Sequence, residues 1–324
     1  MFSYIRVAAL TALGGLVAAC SAPGGDTAEA KTADSPAAAA ATAGQEAQAK
    51  PIDWKAVEAA MGRSGAEQTG GVYRFSLPRG DMQVTASGVR VRPALALGSW
   101  VAFKAHGTGA MAMGDLVLAE DELNPVLSRL QQGGVEQTAI HHHITRESPR
   151  VLYVHIHAHG DPVKIAETVR QAVALTKTPP PAPPAAASTE PFGFDTAQVA
   201  RALGHAGRVN GGVYQVSVPR AETIREGDFE VPPSMGLGTA INFQSTGGGK
   251  AAITGDFVMI GSEVNPVIRV LRENGIEITS LHNHLLTDEP RLFFMHFWAN
   301  DDALELARGL RAALDKTNSR RAAQ

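Results

Sequence analysis

Hydrophobic and polar positions follow the same order twice along this chain. Residues 53–61 place apolar side chains at helical spacing, and residues 71–79 are rich in the β-branched and aromatic residues typical of a strand. The same two patterns return at residues 195–203 and 212–220. Each copy predicts a helix, two or three strands, a strand ending near a Gly-Asp pair, a helix, two strands and a final helix.

The two copies are an internal duplication. Without gaps, Gly114–His155 matches Gly255–His296 at 16 of 42 positions, an offset of 141 residues. We therefore predict the α+β class, with two tandem homologous domains that each have an antiparallel sheet and a ferredoxin-like β-α-β-β-α half. The predicted boundaries are 1–19 for a signal peptide, 20–50 for a lipidated cysteine and disordered tether, 51–177 for the first repeat, 178–190 for a Pro/Ala linker and 191–318 for the second repeat.

The helix in the middle of each repeat is marked in the sequence by an Asn-Pro pair. Asn124 precedes Pro125, and Asn265 precedes Pro266. An N-cap residue followed by a first-turn proline is a common start of a helix. We therefore expect both helices to begin at these asparagines.

The N-terminal residues predict export and lipid attachment. Arg6 supplies a positive charge, and Val7–Ala19 is apolar but too short to span a bilayer. Val17–Cys20 is similar to the bacterial lipobox, in which lipid is attached to the cysteine and the chain is cleaved before it. An ordinary secretory peptide with an incidental cysteine is the alternative. Ser21–Lys50 lacks apolar periodicity and predicts a flexible tether, and Ser21 favours the outer membrane by similarity to known sorting rules.

Composition narrows the chemistry that the chain can carry. The formal net charge of −3 gives no electrostatic support to nucleic-acid binding. Cys20 is the only cysteine and is assigned to lipid, so a metal site in the mature chain must use His, carboxylate or Met. The expected location is the cell envelope, facing the periplasm, and the expected partners are a membrane through the lipid anchor and a metal ion or small envelope ligand.

Three histidines keep their positions in both copies. They lie in segments that predict two strands joined by a hairpin, with His141 opposite His155 and His282 opposite His296, so that the imidazoles of one copy share a face. Three neutral imidazoles with a fourth position open suit Zn²⁺ or Cu²⁺. Packing of hydrogen-bonded histidines is the alternative. The six predicted ligands are His141, His143, His155, His282, His284 and His296.

The first copy has three further histidines near this strand pair. They are His142, His157 and His159, where the second copy has Asn283, Trp298 and Asn300. Two interpretations fit them: an enlarged first site that could hold a second ion, or a solvated edge that binds metal only adventitiously, which is slightly favoured. His106 and His205 have no counterpart in the other copy and are interpreted as surface or core residues.

Two glutamates and two arginines also match between the copies. Glu122 and Glu263 lie just ahead of the middle helix. Each either complements the helix N-terminus or acts as a fourth metal ligand or a general base beside metal-bound water, and these interpretations are weighted equally. Arg150 and Arg291 follow a shared proline, where each either pairs with a carboxylate, which is commoner, or binds an anionic substrate group.

Residues 282–298, together with Glu-x-Asn-Pro-Val at residues 263–267, carry a resemblance to a known family. In these motifs the chain resembles the LppY/LpqO family of bacterial lipoproteins. The resemblance covers both copies and is stronger in the second, since the first departs from the pattern at His142, Tyr153 and His157. It implies lipidation and export, but neither a reaction nor a substrate.

Together these observations predict a lipid-anchored envelope protein that binds, stores or senses zinc or copper. One alternative is a metal-dependent hydrolase that acts on an envelope substrate, with the matched glutamates as general bases and the matched arginines holding an anionic group. The other is a non-metal interaction module. A deep pocket containing a triad and Glu263 would favour the enzyme, an exposed, shallow triad would favour binding, and triads facing a packed core would remove both functions.

Overall fold

Two six-stranded antiparallel sheets form the framework of the protein. The computed structural model describes residues 51–181 and 192–321. The predicted signal peptide, Cys20, the tether and most of the linker lie outside the described residues. Within the described part of the chain, every helix is too short or too polar to cross a membrane.

The first repeat contains four helices and nine strands within residues 51–181. They are α1 (Trp54–Met61), β1 (Ala66–Gln68), β2 (Val72–Pro78), β3 (Thr85–Ala86), β4 (Val89–Arg90), α2 (Pro93–Ala96), β5 (Gly98–His106), β6 (Gly109–Ala119), α3 (Leu123–Gln132), β7 (Glu136–His141), β8 (Glu147–Ser148), β9 (Val151–Gly160) and α4 (Pro162–Val173).

The second repeat follows the same order over residues 192–321. Its elements are α5 (Thr196–Leu203), β10 (Arg208–Asn210), β11 (Val213–Pro219), β12 (Arg225–Glu226), β13 (Phe229–Glu230), a 3₁₀ turn (Pro233–Met235), β14 (Gly238–Gly247), β15 (Lys250–Met259), α6 (Gly261–Glu273), β16 (Glu277–Asn283), β17 (Phe293–Asp302) and α7 (Ala303–Leu314). The strand orders are β1-β2-β5-β6-β9-β7 and β10-β11-β14-β15-β17-β16. The predicted α+β class and β-α-β-β-α order are confirmed.

The longer helices cover the outer face of each sheet, whereas the short helix α2 packs on the inner side with residues of both repeats. In the first repeat, apolar residues of α1, α3 and α4, such as Val57, Leu130 and Val169, pack on the outward side chains of the strands, such as Val154 and Ile156. The equivalent cluster in the second repeat joins α5, α6 and α7 to their sheet. Strand alternation then leaves the opposite side chains of each sheet facing inward.

The inner faces of the two sheets pack against each other. One apolar cluster joins Met113 of the first repeat to Phe294 of the second, and another joins Tyr153 to Trp298. The layers are therefore helices, sheet, sheet and helices. The same inner faces carry buried polar side chains, namely Asp115 of β6, His155 of β9 and His296 of β17.

The middle helices begin earlier than predicted. Helix α3 begins at Leu123 and α6 at Gly261, so neither Asn124 nor Asn265 is an N-cap. The carboxylate of Glu122 instead accepts a hydrogen bond from the backbone N–H of Ala119. In α6, Glu263 accepts one from the N–H that precedes the first turn. Each carboxylate thus accepts from the backbone N–H three residues before it, which fixes the turn into the helix ahead of the asparagine.

Candidate metal centre

The strand pairs β7–β9 and β16–β17 carry the matched histidines on the inner faces of the sheets. His141 pairs with Tyr153 rather than with His155, and His282 pairs with Phe294 rather than with His296. The predicted register was therefore wrong by two residues in both copies. In the first repeat the connecting segment is no simple turn, because β8 within it pairs with β3. A shift of two residues keeps side chains on the same face.

The six histidines form one cluster, which we call the six-histidine centre. Its members are His141, His143, His155, His282, His284 and His296. Ring centroids are 3.8 Å apart for His141 and His282, and 3.9 Å apart both for His143 with His296 and for His155 with His284. The pairs are related by the duplication, so the centre has approximate two-fold symmetry. Two separate triads were expected, and the packing of the repeats brings them together instead.

The hydrogen bonds of His282 and His296 define where their lone pairs point. Nδ1 of His282 lies 2.9 Å from the carbonyl oxygen of Asn283, and Nδ1 of His296 lies 2.8 Å from that of Gly255. A carbonyl only accepts, so each Nδ1 carries the proton and each neutral ring presents a bare Nε2. These two Nε2 atoms lie 3.0 Å apart. Two facing lone pairs repel each other unless a cation lies between them.

Two aspartates that the sequence interpretation missed complete the centre. Asp115 lies opposite His155 in the β6–β9 ladder, and Asp256 lies opposite His296 in the β15–β17 ladder. A carboxylate oxygen of Asp115 lies 3.4 Å from Nε2 of His143, and one of Asp256 lies 3.9 Å from Nε2 of His296. The Gly-Asp pair that matches at the offset of 141 residues was the available signal.

Burial sets the protonation of the centre. Burial, reinforced by the neighbouring imidazoles, lowers the pKa of His284 to about 3. Burial lowers the pKa of His282 to about 4, although the hydrogen bond to Asn283 opposes the shift. The same burial lowers the pKa values of the other four imidazoles. For Asp115 burial raises the pKa to about 8. Neutral imidazole is the form that ligates metals.

Most of the unpartnered buried polar atoms lie in this centre. Among the described residues, eleven buried side-chain nitrogen and oxygen atoms have no hydrogen-bond partner, and eight of them belong to four of the six histidines, Asp115 and Asp256. Both ring nitrogens of His141 and of His155 are among them. Each such atom costs about 1–3 kcal/mol when nothing satisfies it. The interface is thus packed but contains buried polar atoms without hydrogen-bond partners, which distinguishes it from an apolar core.

The donor geometry fits transition-metal ions. Four overlapping groups of three residues at the centre have their ligand atoms within 4.8 Å of one another. Those groups are His141/His155/His282, His141/His143/His296, Asp115/His143/His155 and Asp256/His282/His296. Ligand nitrogens about 2.0–2.1 Å from a tetrahedral Zn²⁺ lie about 3.3 Å from each other, close to the Nε2 separation of His282 and His296. Nitrogen and carboxylate donors without thiolate suit Zn²⁺ and Cu²⁺.

The glutamates proposed as ligands or bases serve the framework. Glu122 forms a two-point ion pair with Arg79, at 2.7 and 3.0 Å, and also accepts hydrogen bonds from the backbone of Ala119 and Lys177. Glu263 repeats these contacts with Arg220. Neither glutamate belongs to a group with metal-ligand spacing. These contacts include a buried ion pair that neither interpretation of the sequence had considered.

The remaining sequence candidates lie apart from the centre. Arg150 and Arg291 are exposed. His142 directs Nδ1 to the carbonyl oxygen of Val151, at 2.8 Å. His205 is partly buried beside Arg311. None of these side chains contributes a donor to the groups with metal-ligand spacing among the described residues.

The fold and this centre define a duplicated α+β protein with a histidine-rich interface between its repeats. The chain belongs to the family described as Domain of Unknown Function (DUF1259), which matches it at residues 55–175 and 197–316, once in each repeat. No curated protein matches the chain.

Two solved structures show a weak similarity to the chain. A trimeric bacterial microcompartment shell protein, PduB, is 12% identical, with a TM-score of 0.20 over 77% of this chain and 88% of its own. EtuB from Clostridium kluyveri is 9% identical, with a TM-score of 0.18 over 78% of this chain and 91% of its own.

Proposed function

We propose that this chain is a lipid-anchored protein of the cell envelope that binds zinc or copper in the six-histidine centre. In this proposal the two repeats act as one unit, because each supplies half of the ligands. The proposed function is binding of the ion for storage or sensing. The metal-dependent hydrolase and the non-metal interaction module are the competing functions.

The pair of facing Nε2 atoms of His282 and His296 carries the proposal. A hydrogen bond between them would need a proton on one Nε2, but each ring already uses its proton at Nδ1. Protonating a ring twice is disfavoured because burial lowers both pKa values. A bound cation satisfies both lone pairs, and the unpartnered atoms of His141, His155 and Asp115 supply further ligands.

The number of donor side chains in the six-histidine centre favours ion binding over metal-dependent hydrolysis. A catalytic zinc site keeps one position open for water and places a base beside it. The glutamates considered as bases are held by Arg79 and Arg220. Six imidazoles and two carboxylates offer more donors than one ion needs, which fits a closed site for one or two ions.

Elemental analysis of the full chain, purified and dialysed against Zn²⁺ or Cu²⁺, tests this function. We expect the wild type to retain metal and the variant with both His141→Ala and His282→Ala to retain at least one equivalent less, because these rings contact each other at the middle of the centre. The matched control is His142→Asn, which alters the adjacent histidine outside the centre to the residue of the second copy.

Two results would contradict the proposal. One is a wild type that retains no zinc or copper, which would favour the non-metal interaction module. The other is a double variant that retains as much metal as His142→Asn. Far-UV circular dichroism of each variant verifies that the sheets still form.

Attachment to the membrane is the second part of the proposal and rests on the lipobox-like residues Val17–Cys20. We expect Cys20→Ser to move the protein from the membrane fraction to the soluble fraction of the envelope, because the thiol that carries the lipid is removed. Labelling with a radioactive fatty acid should mark the wild type and not the variant. Equal labelling of both, or equal fractionation, would reject lipid anchoring.

A further inference from the structure

A second group of metal-ligating side chains lies at the edge of the interface, away from the six-histidine centre. His157 and His159 come from β9 of the first repeat, and Glu226 comes from β12 of the second. We call these three residues the edge cluster. Their ligand atoms lie within 4.8 Å of one another, and Nε2 of His157 lies 3.1 Å from a carboxylate oxygen of Glu226. Two imidazoles and one carboxylate are a common ligand set for catalytic Zn²⁺.

The surroundings of the edge cluster are also histidine and carboxylate. His106 lies beside His159, with ring centroids 5.6 Å apart, and Nε2 of His106 is 3.3 Å from a carboxylate oxygen of Asp228. The carboxylate of Glu136 is 3.7 Å from Nδ1 of His157. The negative charge of these two carboxylates beside the edge cluster favours a bound cation.

Packing does not require these side chains. The symmetry-related position at the other edge of the interface has Trp298 in place of His157, Asn300 in place of His159, and Ala86 of β3 in place of Glu226 of β12. Trp298 and Ala86 lie in one buried apolar cluster. The same framework thus closes one edge with the apolar pair Trp298 and Ala86, and His157 and Glu226 replace that pair at the other edge.

The edge cluster opens on a cavity. His106 and His159 line a cavity of about 610 Å³, whose wall also includes Asp53, Val57 and Asp161. His159 is exposed, whereas His157 is only 7% exposed. An ion held here would be reached from solvent through this cavity, in contrast to an ion between the sheets.

We propose that the edge cluster is a second, independent site for a divalent transition ion such as Zn²⁺, ligated by His157, His159 and Glu226. Three protein ligands leave a fourth position for water or a small ligand from the cavity. This assignment replaces the sequence interpretation of a solvated edge that binds metal adventitiously. It does not depend on the six-histidine centre, since the two sets share no ligand.

Counting zinc equivalents in the full chain tests the proposal. His159→Asn and Glu226→Gln remove one edge ligand each, and the first of them reproduces the residue at the symmetry-related position. In equilibrium dialysis against Zn²⁺ followed by elemental analysis, we expect each variant to bind one equivalent less than the wild type. The variant with His141→Ala and His282→Ala should retain the edge equivalent.

The outcomes separate the two sites. Loss of one equivalent in His159→Asn and Glu226→Gln, with retention in the centre variant, supports the edge site whether or not the centre binds metal. Unchanged stoichiometry in both edge variants, or edge binding that does not saturate, overturns it. Thermal unfolding of the metal-free variants should match the wild type, because these polar side chains do not form the apolar core.

Discussion

Removing bound metal with a chelator is expected to lower the thermal unfolding midpoint of the full chain by about 5–10 °C. An ion present at about 100 times its dissociation constant stabilises the folded state by about 2.7 kcal/mol. In a chain of this size, about 1 kcal/mol corresponds to about 2–4 °C. The physical cause is local: without an ion, the unpartnered nitrogens and carboxylate oxygens of the six-histidine centre stay buried and unsatisfied. Calorimetry with and without the chelator measures the shift.

The variant His155→Leu distinguishes a ligand from a packing residue. His155 is 3% exposed, and neither ring nitrogen has a hydrogen-bond partner. In the presence of chelator, leucine should be at least as stable as histidine, because it removes two unsatisfied buried atoms at similar volume. With zinc present, the variant should show a smaller metal-dependent shift than the wild type. A variant that is equally destabilised with and without zinc would indicate that His155 serves packing alone.

The sequence predicted the features that depend on local periodicity. The duplication, the helices at residues 53–61 and 195–203, and the shared face of the histidines all follow from spacing within one repeat. The predicted shared face was correct although the predicted register was wrong by two residues, because strand side chains alternate with a period of two. The start of α3 could not be derived in this way, since the Asn124-Pro125 signal competed with a buried ion pair between Glu122 and Arg79, which are 43 residues apart.

The features that depend on packing between the repeats were not predictable. Nothing in either repeat alone indicates that His141 meets His282, because that contact arises only when the two inner faces come together. Asp115 was overlooked for a related reason: an isolated aspartate after glycine resembles a strand end, and its proximity to His143 appears only in the folded sheet. In duplicated chains, an acidic residue that matches between the copies is therefore a useful signal when its position in the strand puts it on the same sheet face as matched histidines.

Duplication explains why the histidines of the two repeats form one centre. A repeat whose sheet is covered by helices on one side has a second face that must be buried against something, and a second copy supplies a complementary face. Residues near the two-fold axis meet their own counterparts, as His141 meets His282. A histidine triad on the face of one repeat becomes a six-histidine centre, and the number of potential metal ligands doubles without new sequence motifs. Away from the axis, a residue of one repeat contacts residues other than its own counterpart. The two edges of the interface can therefore differ, and one has the edge cluster where the other has Trp298.

Breaking the ion pair between Arg79 and Glu122 is expected to reduce the free energy of unfolding by about 3–5 kcal/mol, the usual cost of leaving one buried charge without its partner. Arg79 is 1% exposed and donates to both oxygens of Glu122 and to the carbonyl oxygen of Val117. Denaturant unfolding of Arg79→Met measures the loss. The double variant with Arg79→Met and Glu122→Leu should lose less than the sum of the two single variants, since the remaining charge is also removed.

The pH dependence of this stabilisation has a definite sign. Burial raises the pKa of Glu122, but hydrogen bonds from Arg79 and from the backbone of Ala119 and Lys177 outweigh it, so the pKa lies below its ordinary value. A carboxyl group with a lowered pKa in the folded state stabilises the protein above its pKa in the unfolded chain, and this contribution is lost as the pH falls through the folded pKa. The stability difference between the wild type and Glu122→Gln, measured in chelator, should therefore be full near neutral pH and shrink below about pH 4.5. A difference that is constant across this range would mean that Glu122 stabilises the helix start through its shape and neutral hydrogen bonds, and that its charge contributes nothing.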